Sequence, residues 1–207
     1  MKKKALIPLL VLAAAVAASV VVAATAQPPT DLLPELKKGG YVLFIRHPRT
    51  NPDQADTDPL NLDNIKAQRQ LSDDGRKQAK ALGECFRTLG ISVEKVISSK
   101  FQRAQEAAKL LAVGEVTTSI DVSEGGLVVS TRENQRRAKS LRQVLSTAPI
   151  KGKNLLVVSH KPNLLDAAGK EFGDIDDGEV VVFKPLGDGK FQAVARVRSE
   201  AWSHLAK

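Results

Sequence analysis

One pattern occurs twice in the chain and limits its fold more than any other. Tyr41–Thr50 (YVLFIRHPRT) is an apolar run that ends in Arg46 and His47 with a proline next, and Asn154–Asn163 (NLLVVSHKPN) is an apolar run that ends in His160 with Pro162 two residues on. Unbroken apolar runs of this length, closed by charge and proline, are strands buried on both faces, as in the interior of parallel sheets. Ligands of open α/β sheets bind outside the carboxyl ends of such strands, so two parallel neighbours would bring both imidazoles to one rim. The chain has only three histidines, and two of them hold equivalent positions.

The remaining elements are consistent with one domain. With 207 residues and 43% hydrophobic content, a single domain with a sizeable core is expected. Residues 27–40 begin with a Pro-rich joint, continue as a short helix around Leu32–Lys38 and close at Gly39-Gly40; they form a lead-in to a domain over residues 41–207. The polar connection Thr50–Gln70 follows the His47 strand and is expected to wall the site, since long aperiodic connections are usually functional or mobile. Ser72–Leu89 is the clearest helix, capped by Ser72, favoured by Asp73 and Asp74 and stopped by Gly90, with Ala79, Leu82, Phe86 and Leu89 on its buried side.

Val93–Ser98 is a short strand. Ser99, with Gln102 three residues on, has capping-box spacing for the next helix, whose buried side is Ala104, Ala107, Ala108 and Leu111. Val116–Val129 holds a strand or two and the Gly125-Gly126 turn. Arg132–Leu145 is a basic helix, read as a solvated face or as a surface for a polyanionic substrate. Pro162 suits the opening of a helix that runs through Phe172. Glu179–Lys184 and Phe191–Arg198, joined across Gly187-Asp188-Gly189, read as a terminal hairpin. The alternation implies a three-layer α/β/α domain with a mostly parallel sheet and an antiparallel hairpin at its end.

The first 26 residues have the form of a secretory signal: Lys2, Lys3 and Lys4 precede an uncharged Ala/Val/Leu run that finishes at Ala24-Thr25-Ala26. A periplasmic or secreted location follows. The alternative is an inner-membrane anchor formed by an uncleaved Ala5–Ala26. Without the three lysines the chain keeps 28 basic against 23 acidic residues. That balance favours anionic ligands without indicating nucleic acid, for which an aromatic content of 4% gives little support. Cys85 is the sole cysteine, so an intrachain disulfide and a cysteine-based metal site are excluded; on an apolar helix side it is a packed thiol.

Two imidazoles and several arginines at one rim suit phosphate. Arginine offers a fork of donors that matches phosphate oxygens, and a neutral histidine can attack phosphorus and form a covalent phosphohistidine. Four segments then resemble, in order, the signatures of the histidine phosphatase superfamily (phosphoglycerate mutase-like): Arg46-His47, Leu71–Ala79 (LSDDGRKQA), Ser98–Ala104 (SSKFQRA) and Val158-Ser159-His160. The resemblance spans roughly Tyr41–Arg198. It implies His47 as nucleophile and Arg46, Arg103 and His160 as holders of the phosphoryl oxygens, with no metal or other cofactor.

Two positions depart from the family pattern. Pro48 follows His47 where glycine is usual; it removes a backbone donor but keeps a carbonyl that can receive the His47 ring N–H. Lys161 follows His160 where glycine is frequent, adding a positive charge near the pocket. For the proton donor to the leaving group the resemblance points to Glu124, with Glu179 as the alternative. The function implied is an exported phosphomonoesterase acting on a phosphorylated small molecule or glycan. From another class, a non-catalytic phosphate- or anionic-glycan-binding module is the alternative. A zinc site built on His47, His160 and a carboxylate is disfavoured by Arg46, whose charge repels a cation.

Overall fold

A computed structural model describes residues 32–126 and 128–205, so the signal-like residues 1–26 lie outside the described residues. Six strands make one sheet in the order β3-β2-β4-β1-β5-β6: β1 (Val42–Arg46), β2 (Val93–Ser99), β3 (Val116–Ser119), β4 (Asn154–Ser159), β5 (Val180–Gly187) and β6 (Lys190–Val197). β3, β2, β4 and β1 run parallel, while β5 lies antiparallel against β1 and returns as β6. The hairpin turns at Asp188 and Gly189, both at positive φ (50° and 72°), the geometry of a tight two-residue turn.

The two apolar runs are strands because both their faces are covered. Leu43 and Ile45 of β1 and Leu156 and Val158 of β4 enter a core shared with α1 (Leu32–Lys38), α2 (Asp73–Thr88), α3 (Gln102–Leu111) and α6 (Ser199–Leu205). Their alternate neighbours Val42, Phe44, Leu155 and Val157 enter a second core under α4 (Thr131–Ser146) and α5 (Lys161–Ala168). This is the three-layer arrangement the sequence implies. Every buried member of both cores lies between Leu32 and Trp202. Cys85 packs in the first of them, and burial pushes its thiol pKa up.

Local expectations are met in α2, where the Ser72 hydroxyl accepts from Gly75 N–H (3.1 Å) and Gly90 follows at φ 69°. Val116–Val129 holds one strand, β3, followed by a 3-10 turn (Ile120–Val122). Two other expectations need correction. α3 starts at Gln102, and Ser99 does not cap it; the Ser99 hydroxyl is engaged with His160 and Ser123 instead. The helix from Pro162 does not run through Phe172: Gly169, at φ 129°, ends α5 and a separate 3-10 turn (Lys170–Phe172) follows. α6 was not foreseen; Trp202, fully buried edge-on against Phe86, anchors it.

Candidate active site

Strand register assembles the site. Arg46 of β1 pairs with Ser159 of β4, so the next residue on each strand is a histidine, and His47 N–H donates to Ser159 O (2.9 Å). The two rings meet edge to face with centroids 5.2 Å apart. Both are buried, with 4% exposure at His47 and none at His160. The Pro48 carbonyl lies 2.9 Å from His47 Nδ1. A proton on Nδ1 donated there leaves the Nε2 lone pair free, so proline at this position keeps the ring oriented.

Arg103 comes from the first turn of α3, which opens directly after β2, and its side chain is fully buried. Its Nη1 donates to Asp56 Oδ1 (3.0 Å), its Nη2 to Glu124 Oε1, and its guanidinium lies over the Phe101 ring at 4.4 Å. Glu124 Oε1 also stands 3.2 Å from His160 Nδ1. On the other side of the imidazole, His160 Nε2 lies 2.7 Å from Ser99 Oγ, which reaches Ser123 Oγ at 3.1 Å. Arg46 is near the rings but tied down: Nη1 donates to Ile175 O (2.5 Å) and Nη2 pairs with Asp177 (2.8 Å).

The electrostatics keep both imidazoles neutral. Burial is the largest influence holding the His47 pKa well below 6.5, followed by the charges of His160 and Arg103 and then Arg46, with the Pro48 hydrogen bond opposing. Burial likewise depresses His160, with Arg103, Arg69 and Arg46 adding to it. Arg46 Nε, Arg103 Nε and His160 Nδ1 are buried without a hydrogen-bond partner among the described residues. Unpaired buried polar groups are costly, and an anion with several acceptor oxygens is the ligand that would satisfy clustered donors of this kind. Among the described residues no three His, Cys, Asp or Glu side chains gather as metal ligands.

His47, His160, Arg103, Arg46 and Glu124 therefore converge. Glu179 does not join them: it is 1% exposed, its Oε1 accepts from Arg196 Nε (2.7 Å) and its Oε2 from Asp176 N–H (2.9 Å). Its work is to brace the turn that holds Arg46, whose N–H donates to Glu179 O (3.2 Å). The Lys161 charge is felt at Asp174. Three of the five basic residues of α4 are engaged within the fold, Arg136 on Glu133 and Asp121, Arg137 on Glu133 and the Glu124 carbonyl, Arg142 on the carbonyls of Ala167 and Asp166, while Arg132 and Lys139 are exposed. The Glu133 carboxyl is correspondingly lowered to about 2, the Arg136 hydrogen bond being the main cause. Asp56, Arg69, Ser99 and Ser123 belong to the site and escaped the sequence reading. Asp56 and Arg69 sit in the connection that was expected to wall the site, and Gln68 of that segment accepts from Gln102 N–H (2.7 Å).

A doubly covered, mostly parallel sheet with two histidines and an arginine-bearing helix start at its carboxyl rim is a phosphoglycerate mutase-like domain. Residues 42–125 match the model of the histidine phosphatase superfamily (branch 1). A serine/threonine-protein phosphatase Pgam5, mitochondrial, of Drosophila grimshawi is 39% identical over 75 residues; the match spans 36% of this chain and 23% of that protein. Among solved structures, the protein histidine phosphatase SixA complexed with tungstate superposes with a TM-score of 0.55 at 14% identity, over 77% of this chain and 97% of the other. Mycobacterial glucosyl-3-phosphoglycerate phosphatase complexed with VO3 gives 0.56 at 12% identity, over 77% and 100%. Phosphoserine phosphatase from Entamoeba histolytica, in complex with phosphoserine, gives 0.53 at 14%, over 78% and 98%. At these identities the structures speak for the fold.

Proposed function

We propose that the protein hydrolyses phosphate monoesters through a covalent phosphohistidine on His47. The observation that carries this is the edge-to-face pair of neutral, buried imidazoles beside the fully buried Arg103. His47 Nε2 attacks phosphorus while Arg46, Arg103 and His160 hold the non-bridging oxygens and stabilise the charge they gain. Cleavage of the P–O bond sends its electron pair to the leaving oxygen, which takes a proton from the Glu124 carboxyl. Water, giving a proton back to Glu124, then breaks the N–P bond and releases phosphate.

The similar proteins include a protein histidine phosphatase, a phosphoserine phosphatase and a glucosyl-3-phosphoglycerate phosphatase, which supports a phosphorylated substrate and leaves small molecule and glycan both open. The signal-like residues 1–26 support export to the periplasm or beyond. The competing function, a binding module without chemistry, draws on Pro48 and on Glu124 occupying Arg103. Rapid-quench labelling with an aryl phosphate separates the two. The enzyme should yield a phosphoenzyme stable to alkali and lost in acid, and His47→Ala should abolish it, cutting turnover by about a thousandfold or more with the fold intact. Phosphate binding without any phosphoenzyme would establish the module instead.

A further inference from the structure

The end of the sheet opposite the imidazoles carries a surface of its own. β1 and β4 begin there and β5 turns into β6 there: Val42 pairs with Leu155 and Phe183, and Gly40 N–H donates to Lys153 O (2.8 Å). Three segments meet at that end, the last turn of α1, the turn at residues 150–153 and the hairpin tip at residues 184–190. They carry Lys37, Lys38, Lys151, Lys153, Lys184 and Lys190, all exposed, and no arginine. Of the acids nearby, Glu35 is spent on Lys38 (2.5 Å), and Glu94 on Lys95 (3.7 Å) and the Ile150 N–H (2.9 Å); Asp188 stands at the hairpin tip, and Asp166 and Glu171 share a cleft with Leu186 and Lys190. Ile150 and Leu186, among the few large apolar side chains left in solvent, are 61% and 55% exposed. β4, β1 and β5 are neighbours, so the segments bearing them are about two strand spacings, roughly 10 Å, apart.

We propose that this face docks on the surface of an anionic lipid bilayer, with the catalytic rim turned away from it. Lysines carry charge on flexible apolar stems and suit a diffuse field of headgroups, whereas a fixed carboxylate partner favours the arginine fork, which these segments lack. Ile150, in the bend before β4, and Leu186, near the end of β5, are placed to enter the headgroup boundary while the lysines meet lipid phosphates. In the sequence the apolar run Ala5–Ala26 precedes α1, whose last turn is part of the face. The proposal is independent of the chemistry assigned to His47.

Vesicle flotation with residues 27–207 tests the face without the apolar run, which would partition by itself. The protein should bind vesicles of phosphatidylcholine and phosphatidylglycerol at about 3:1, ignore phosphatidylcholine alone, and be released by salt at about 0.5 M. Replacing Lys37, Lys151, Lys153 and Lys190 with Gln should weaken binding by about tenfold or more. Ile150→Ser with Leu186→Ser should weaken it severalfold, and both variants should keep wild-type circular dichroism and aryl phosphate turnover. Equal binding to both vesicle types, or binding indifferent to the lysines, overturns the proposal. So does lysine-dependent binding to polyglutamate with none to vesicles, which would assign the face to an acidic protein.

Discussion

At the scale of single residues, the protonation of His160 depends on a hydroxyl the sequence reading assigned to a helix cap. Ser99 Oγ accepts from Phe101 N–H (3.2 Å) and has one proton to share between Ser123 Oγ and His160 Nε2. Given to His160, it puts the ring's own proton on Nδ1, which faces Glu124 and the position of a phosphoryl oxygen. Ser99→Ala should therefore lower kcat by about 5- to 150-fold, the cost of an unpaired buried group, with Ser99→Thr restoring much of it. The discriminating readout is the 15N tautomer signature of His160, which a purely structural role would leave unmoved. Glu124→Gln should slow alkyl phosphates far more than aryl phosphates, whose leaving groups need little protonation; equal losses in steady-state kinetics would remove it as the proton donor. The convergence of His47, His160, Arg46 and Arg103 was legible because each lies at a strand end or a helix start, and that of Glu124 because it stands in the loop between Arg103 and His160 where the resemblance expects a proton donor. Asp56 was not, because its bond to Arg103 joins residues 47 apart and exists only once the loop has folded over α3.

At the scale of elements, periodicity located strands and helices well and capping chemistry less well. The failed cap at Ser99 and the break at Gly169 share a cause: a tertiary partner or a positive φ outweighs a local preference. α6 gave little signal because a helix of 7 residues is held in the core by Trp202 and the small Ala201, with Leu205 against them, rather than by a repeated stripe. The glycines inside α2 are a further tertiary feature. A Cβ at Gly83 would overlap the Leu111 carbonyl at the end of α3, and one at Gly75 would overlap the Arg49 carbonyl just past His47. Gly83→Ala should thus destabilise by about 1–3 kcal/mol in urea titration, despite alanine's better helix propensity, because α2 and α3 must separate. Gly75→Ala should also displace the Pro48–Thr50 turn, so its loss in kcat/KM should exceed that of Gly83→Ala measured where both are folded.

At the scale of the whole molecule, two neutral imidazoles sealed in one site make stability depend on pH. The unfolded chain titrates its histidines near 6.5, whereas in the folded protein burial holds His47 and His160 well below that value. Below 6.5 the unfolded chain takes up protons that the folded one refuses. The stability contributed by the neutral rings is thus fully present above 6.5 and is lost as pH falls from 6.5 through the lowered folded values. The paired carboxylates act in a different window: Asp174 is lowered from 3.8, chiefly by Arg196, and Glu133 lies at about 2, so their contributions are lost only at more acid pH. Between pH 6.5 and 5 the slope of unfolding free energy should approach two protons per molecule, read from urea midpoints. A double variant, His47→Gln with His160→Asn, should flatten it, and an unchanged slope would show that other groups carry the acid sensitivity. The same neutrality bears on turnover, because an Nε2 that stays unprotonated should let kcat/KM for an aryl phosphate persist below pH 6.5 for as long as the fold survives. Acid should then inactivate this protein by unfolding it before it protonates His47, so loss of activity and loss of circular dichroism should fall together on one pH axis.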